Sequence, residues 1–150
     1  MASTFANLLY HLVFTTKNRV PLIREDLRDD LYGYIGGILR GEGGVLLAIG
    51  GMPDHVHLLV KLKTDVAVST MVQKIKAKSS KRMNERAISP ERFEWQAGYG
   101  VFSVSESLTD KVRRYIRNQE EHHAQVSFRD ELIALLQRNR IPYDEKYLLG

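Results

Sequence analysis

The segment Gly50 to Leu62, GGMPDHVHLLVKL, constrains the fold of this chain more than any other. Its Gly-Gly and Pro-Asp pairs mark a turn. His55-Val56-His57 then runs into Leu58, Leu59 and Val60. Successive side chains on a strand point to opposite faces. His55 and His57 therefore share one face, while Val56, Leu58, Val60 and Leu62 share the other. The alternation predicts a strand whose apolar side meets a core and whose other side presents two imidazoles together. Such a pair is half of a metal site. Two partly buried polar residues at a strand end would show the same pattern.

Neighbouring signals surround this strand. Leu8 to Thr16 (LLYHLVFTT) is apolar, β-branched or aromatic, and reads as a central strand containing His11. Arg24 to Arg40 places Leu27, Leu31, Tyr34, Ile35 and Ile38 at helical spacing. Gly33, Gly36 and Gly37 weaken that helix but would let it lie close to a sheet. Val45 to Ile49 is a short strand, and Gly50 to Asp54 turns it into a hairpin with the histidine strand. A helix follows, with Asp65 as its candidate cap and Val68, Met71, Val72, Ile75 and Met83 as its apolar stripe. Ser89-Pro90 reads as a cap with Pro at N1. Tyr99 to Val104 is the fourth strand. Ser107 with Asp110, and Ser127 with Asp130, read as capping boxes that open two further helices, the second ending near Arg138. The tail, about 139–150, reads as extended and packed through its apolar residues.

The element order predicts an α+β fold of ferredoxin-like, RRM-like split βαββαβ plan. Its four-stranded antiparallel sheet carries helices on one face, with C-terminal helices beside the histidine pair on the open face. The 150 residues are read as one domain. No apolar run is long enough to span a bilayer, the N-terminus lacks the pattern of a signal peptide, and there is no cysteine for disulfides or thiolate ligands. A cytoplasmic protein is the expectation.

The charge is uneven. The net +4 divides into +5 over residues 74–86, +4 over 111–117 and −5 elsewhere. Lys74, Lys76, Lys78, Lys81 and Arg82 lie in the first segment, and Lys111, Arg113, Arg114 and Arg117 in the second. One such helix is an ordinary solvated face. Two in a chain with a candidate metal site point to nucleic acid.

The helix after Ser107, SLTDKVRRYIRNQEEHH, supplies a second half for the site. At about 100° per residue, Lys111, Tyr115, Gln119 and His122 fall on one face. That face carries a cation, a phenol, an amide and an imidazole. Leu108, Val112 and Ile116 lie near it, so Tyr115 also reads as a residue at the edge of the core.

Four blocks together resemble the single-tyrosine transposases of small bacterial and archaeal insertion sequences, in the HUH endonuclease superfamily. They are YHLVFTTKNR (Tyr10 to Arg19), GGMPDHVHLLV, WQAGYGVFSVS (Trp95 to Ser105) and VRRYIRNQEEHH (Val112 to His123). Transposases associated with repetitive extragenic palindromes share these motifs. The resemblance implies that His55, His57 and Gln119 hold a metal, Mg²⁺ or Mn²⁺, and that Tyr115 is the nucleophile. It implies a 5′-phosphotyrosine intermediate, single-stranded DNA with hairpins as substrate, and a homodimer whose tyrosine helices complete each other's sites. His122 is an auxiliary candidate, as is Lys111. The five basic residues of 74–82, with Arg113 and Arg117, are the candidate DNA contacts. Extension to an HxHxDH zinc-hydrolase pattern is blocked by Leu59 and Val60. The competing function on the same fold is a non-catalytic or domesticated regulator that binds hairpin DNA or RNA.

Overall fold

The computed structural model describes residues 3–86 and 90–148. Strand β1 (Leu8–Thr15) is followed by helix α1 (Glu25–Gly41), strands β2 (Gly44–Met52) and β3 (His55–Leu62), helix α2 (Val68–Arg86) and strand β4 (Gly100–Val104). Helices α3 (Thr109–Arg117), α4 (Gln119–His123) and α5 (Phe128–Arg138) complete the order. The sheet runs β2-β3-β1-β4 with every pair antiparallel, which is the split βαββαβ arrangement.

Register places the faces. Val13 pairs with His57 and Thr15 with His55, while Leu12 pairs with Leu58 and Phe14 with Val56. The even-numbered set of β1 and β3 packs under α1 and α2 with Leu31, Ile35, Met71 and Ile75. Full burial of each such side chain stabilises the fold by about 1.5–3 kcal/mol. Gly36 serves α1 as its sequence suggests, since a Cβ there would stand 3.5 Å from Leu46 on β2.

The opposite face is not open. Two smaller apolar groups cover it: Val13 and Phe102 with Phe128, Leu132 and Leu135 of α5, and Ala48 and Leu59 with Ile116 of α3. The expected free face therefore lies beneath α3 to α5, because these helices carry apolar stripes of their own to bury.

Several boundaries differ from the sequence reading. β2 continues through Gly50 and Gly51, which stay paired with His57 and Val56, so only Pro53 and Asp54 form the turn. These glycines admit close neighbours within a strand instead of bending it. α2 starts after Ala67, whose carbonyl accepts from Met71, and Asp65 lies in the preceding turn. Ser107 caps nothing: its hydroxyl meets Ser105 at 3.0 Å, and α3 begins after Leu108 without a side-chain cap. The single long helix expected there is divided at Asn118 into α3 and α4. The second capping box forms in part, with the Asp130 amide donating to Ser127 Oγ at 3.2 Å. In the tail, Leu148 packs on the α5 cluster while Tyr147 stays 76% exposed. Ser89 lies outside the described residues.

Candidate metal centre and tyrosine

The centre is assembled on the face of the sheet that carries odd-numbered residues of β1 and β3. His55 and His57 rise from β3 as the alternation requires, and both are fully buried. The backbone around them is tied down. The Asp54 carbonyl accepts from Thr16 N at 2.9 Å and the Pro53 carbonyl from Ile23 N at 2.9 Å. From above, α4 contributes Gln119 and His123, α3 contributes Tyr115, and α5 contributes Glu131.

Gly50 sets the height of the tyrosine helix. A Cβ at this position would stand 3.0 Å from the carbonyl carbon of Ile116 and closer still to its oxygen. The backbone of α3 thus rests directly on β2, and Tyr115 is carried next to the His57 ring at 5.7 Å between centroids.

The polar groups converge. His57 Nε2 lies 2.8 Å from Glu131 Oε1. His55 Nε2 is 3.1 Å from Gln119 Oε1 and 3.7 Å from Glu131 Oε1. His123 Nε2 is 3.0 Å from Gln119 Oε1 and 3.2 Å from Glu131 Oε1. The other carboxylate oxygen of Glu131 accepts from the Tyr115 hydroxyl and, at 3.2 Å, from Gln119 Nε2. His122 Nε2 sits 3.2 Å from that oxygen but out of line for a hydrogen bond.

Each imidazole is oriented by its other nitrogen. His55 Nδ1 donates to the Asp54 carboxylate at 2.8 Å, and His123 Nδ1 to the Val126 carbonyl at 2.8 Å. His57 Nδ1 pairs with His11 Nε2 at 2.8 Å. Outer partners of this kind fix the tautomer of metal-bound histidines. The assignment, made from the hydrogen-bond network, has a consequence. With Nδ1 as donor, Nε2 of His55 and of His123 is left facing the carbonyl oxygen of Gln119, at 3.1 and 3.0 Å, as the ring atom that could meet a cation.

The spacing agrees. Ligands about 2.1 Å from an octahedral ion stand about 3.0 Å apart when adjacent. One ring nitrogen each from His55, His57 and His123 and a Glu131 oxygen lie within 4.8 Å of one another, and Gln119 Oε1 is hydrogen-bonded among them. These residues fit a divalent metal. Three imidazoles, an amide and one carboxylate suit Mn²⁺ and later transition ions better than Mg²⁺, which prefers oxygen.

Electrostatics follow from burial. His11 is brought down to about 3 by burial and by its neighbour His57, so it is neutral. Burial likewise lowers His57, against the pull of Glu131. For Glu131, burial works to raise the carboxyl, but hydrogen bonds and charge from His57, Tyr115 and His123 hold it well below the usual range. Tyr115 is pushed far above an ordinary phenol, first by burial and then by its bond to Glu131. As it stands the phenol is firmly protonated and the carboxylate firmly ionised.

Of the residues expected from sequence, His55, His57, Tyr115 and Gln119 meet here, with His122 at the edge. Lys111 is exposed on α3, on the rim of a cleft that also borders Tyr115. Glu131 was missed. An acid in the first turn of a helix reads only as a complement to the helix dipole, and nothing local shows that it points at β3. The basic candidates are largely occupied. Lys74 and Lys78 clasp Glu42 at 2.6 and 3.0 Å, and Arg82 holds Asp30 at 2.9 Å. Lys76 turns inward to the carbonyls of Gln96 and Gly98, and burial lowers it to about 8. Lys81 and Arg117 are exposed, and Arg113 is half-buried.

The family model for IS200-like transposases matches residues 4–119, which contain the sheet, both strand histidines, Tyr115 and Gln119. Fold and match together define a transposase. Among similar proteins, the ISDra2 transposase TnpA of Deinococcus radiodurans is 28% identical over 121 residues, covering 76% of this chain and 85% of that one. The transposase of insertion sequence IS200 from Salmonella typhimurium is 29% identical over 127 residues, covering 81% and 82%. The chain belongs to the IS200-like transposase family. A Deinococcus radiodurans crystal structure described as a transposase candidate superposes with a TM-score of 0.64 at 29% identity, over 79% of this chain and 95% of that one. A REP-associated tyrosine transposase bound to a REP hairpin shares the fold, with a TM-score of 0.62 at 16% identity over 84% and 76%. Among the described residues no helix is long and apolar enough to cross a membrane.

Proposed function

We propose that this transposase cleaves and rejoins single-stranded DNA through a 5′-phosphotyrosine on Tyr115, in a metal-dependent reaction at the hairpin-bearing ends of an insertion sequence. The observation that supports this most is the carboxylate of Glu131. One of its oxygens faces the imidazoles, and the other accepts from the Tyr115 hydroxyl. Nucleophile and metal centre are thereby joined through one side chain.

His55, His57 and Gln119 would hold Mg²⁺ or Mn²⁺, with Glu131 and His123 facing the same point. A divalent ion there supplies Lewis-acid polarisation of a non-bridging phosphate oxygen. Tyr115 Oη attacks phosphorus, and the bond from phosphorus to the 3′ oxygen breaks. The departing 3′ oxygen takes up a proton from water, which leaves that strand a free 3′-hydroxyl. Glu131 Oε2 already accepts the phenol hydrogen bond and is placed to receive its proton as the new P–O bond forms. Attack by a different 3′-hydroxyl on the phosphotyrosine reverses these steps and joins strands without another energy source. His122 stands beside the phenol as an auxiliary group. Lys81, Arg113 and Arg117, with the paired cations of α2 when their acids are displaced, would hold the DNA backbone, and binding would weaken steeply with salt.

A homodimer in the cytoplasm is part of the proposal. Within one chain Tyr115 already reaches its own centre, so an exchange of tyrosine helices between subunits requires α3 to leave its seat on Gly50. The second reading, a hairpin-binding regulator, draws on the near-complete burial of His55, His57, Gln119 and Glu131 and on the hairpin bound by the structural neighbour. Incubating labelled hairpin DNA that carries a single-stranded flank with protein and Mn²⁺ tests the two. The strand transferase forms a covalent adduct that Tyr115→Phe abolishes while DNA binding persists. Binding that is indifferent to chelators, with no adduct from the intact protein, would establish the regulator.

A further inference from the structure

A cleft of about 350 Å³ opens beside Tyr115, between β4, α3 and α5. His11 and Tyr115 border it on the side of the metal centre. Phe102 contributes to its floor, and Leu108, a large apolar residue left 49% exposed, forms part of its rim. Lys111 of α3 and Arg138 of α5 stand on the same rim, both exposed. Neither makes an ion pair among the described residues, in contrast with Lys74, Lys78 and Arg82 on the other side of the sheet.

The other large clefts suit a phosphate-bearing strand less well. One of about 490 Å³ reaches Gln119 but is bordered by Asp29, Glu120 and Glu121. Another, of about 590 Å³, lies against α2, and its Lys76 is committed to backbone carbonyls. A third, of about 540 Å³, is bordered by Lys61 and Lys63 but also by Asp65, and neither Tyr115 nor a residue of the metal centre lines it. The cleft beside Tyr115 combines an approach to the phenol, apolar surface for a base, and two cations, unpaired among the described residues, for phosphate. Its volume is near the lower end for small-ligand sites, about 300–1,000 Å³, and suits one nucleotide.

Building on the strand-transfer reading, we propose that this cleft seats the unpaired nucleotide next to the scissile phosphate. Its base lies over Leu108 and the edge of Phe102, and Lys111 and Arg138 hold the flanking phosphates. The strand reaches Tyr115 from the β4 side, and hairpin stems bind elsewhere.

The test uses the full chain in EDTA and two fluorescein-labelled oligonucleotides, a hairpin with a single-stranded flank and the same hairpin without it. Lys111→Gln with Arg138→Gln is compared with Lys61→Gln with Lys63→Gln, which removes the same charge from exposed lysines near and just past the far end of β3. For the flanked hairpin, the first pair should bind at least about tenfold more weakly. Its slope of log affinity against log salt should flatten by about 1.4, or about 0.7 per lost single-strand phosphate contact. The control pair should stay within about twofold, and the bare hairpin should bind both proteins alike. Equal losses in both pairs, no loss in either, or an equal loss on the bare hairpin would overturn the proposal. Leu108→Trp adds an independent reading: its emission should change when the flanked oligonucleotide is added and not with the bare hairpin, and a silent or indifferent signal counts against the cleft. Adduct formation with Mn²⁺ is scored separately. A wild-type protein that binds as described but forms no adduct would refute strand transfer and leave the cleft standing.

Discussion

Gly50→Ala should impair the chemistry without touching any group that performs it. The added methyl carbon would stand 3.0 Å from the Ile116 carbonyl carbon, where unstrained carbon atoms sit about 3.5–4.0 Å apart. The obstacle is backbone on a packed helix, so it cannot swing aside as a side-chain end would. The Ile116 carbonyl oxygen would be nearer still, so relief requires α3 to rise by more than about 1 Å, carrying Tyr115 away from Glu131 and the imidazoles. Overpacking of this kind costs about 1–3 kcal/mol of stability. A misplacement of about 1 Å can lower a rate by about 100-fold. The assay is single-turnover formation of the covalent adduct on saturating hairpin DNA with Mn²⁺, beside urea denaturation of the same preparation. We expect a folded protein, modestly destabilised, whose adduct rate falls by one to two orders of magnitude while DNA affinity changes little. A wild-type rate in a variant destabilised as expected would show that the height of α3 does not govern the nucleophile.

Further outcomes follow from other parts of the structure. Mn²⁺ at about 100 times its dissociation constant should stabilise the protein by about 2.7 kcal/mol, or roughly 5–10 °C in midpoint; Glu131→Gln should cut that shift sharply in differential scanning fluorimetry, and a full shift in the variant would remove Glu131 from the metal's donors. Lys76 titrates near 8 in the folded chain and near 10.4 when unfolded. The folded state therefore binds fewer protons between these values, and this group's contribution to stability should grow as pH rises from about 8 to about 10.5. Urea midpoints across that range should rise less in Lys76→Met than in wild type, and parallel curves would refute the assignment. Ser127→Ala removes the one side-chain cap of α5 and should cost about 1 kcal/mol, seen as a lower denaturation midpoint with an unchanged m-value.

The two halves of the site were unequally legible. His55 and His57 could be placed on a common face because alternation along a strand is a property of the backbone itself. Tyr115 and Gln119 could be aligned because they are four residues apart, and they still gather at one point although the helix breaks at Asn118. Ser127 announced the start of α5 by the chemistry of its hydroxyl. The strand through Gly50 and Gly51 was misread, since a pair of glycines looks the same whether it bends the chain or clears room for a neighbour.

What local order determined was therefore the sheet plan, its apolar side, and which few polar residues share a face. Tertiary structure alone decided that Glu131 closes the centre, 74 residues from His57 along the chain, and that His11 and Asp54 orient the strand imidazoles. It also decided that Glu42 and Asp30 neutralise much of the basic helix while Lys111 and Arg138 find no ion-pair partner among the described residues. The reason is physical. Periodicity and capping act within a turn or two of helix or between adjacent strand positions, whereas ligation and ion pairing depend on atoms within about 4 Å whatever their separation in sequence.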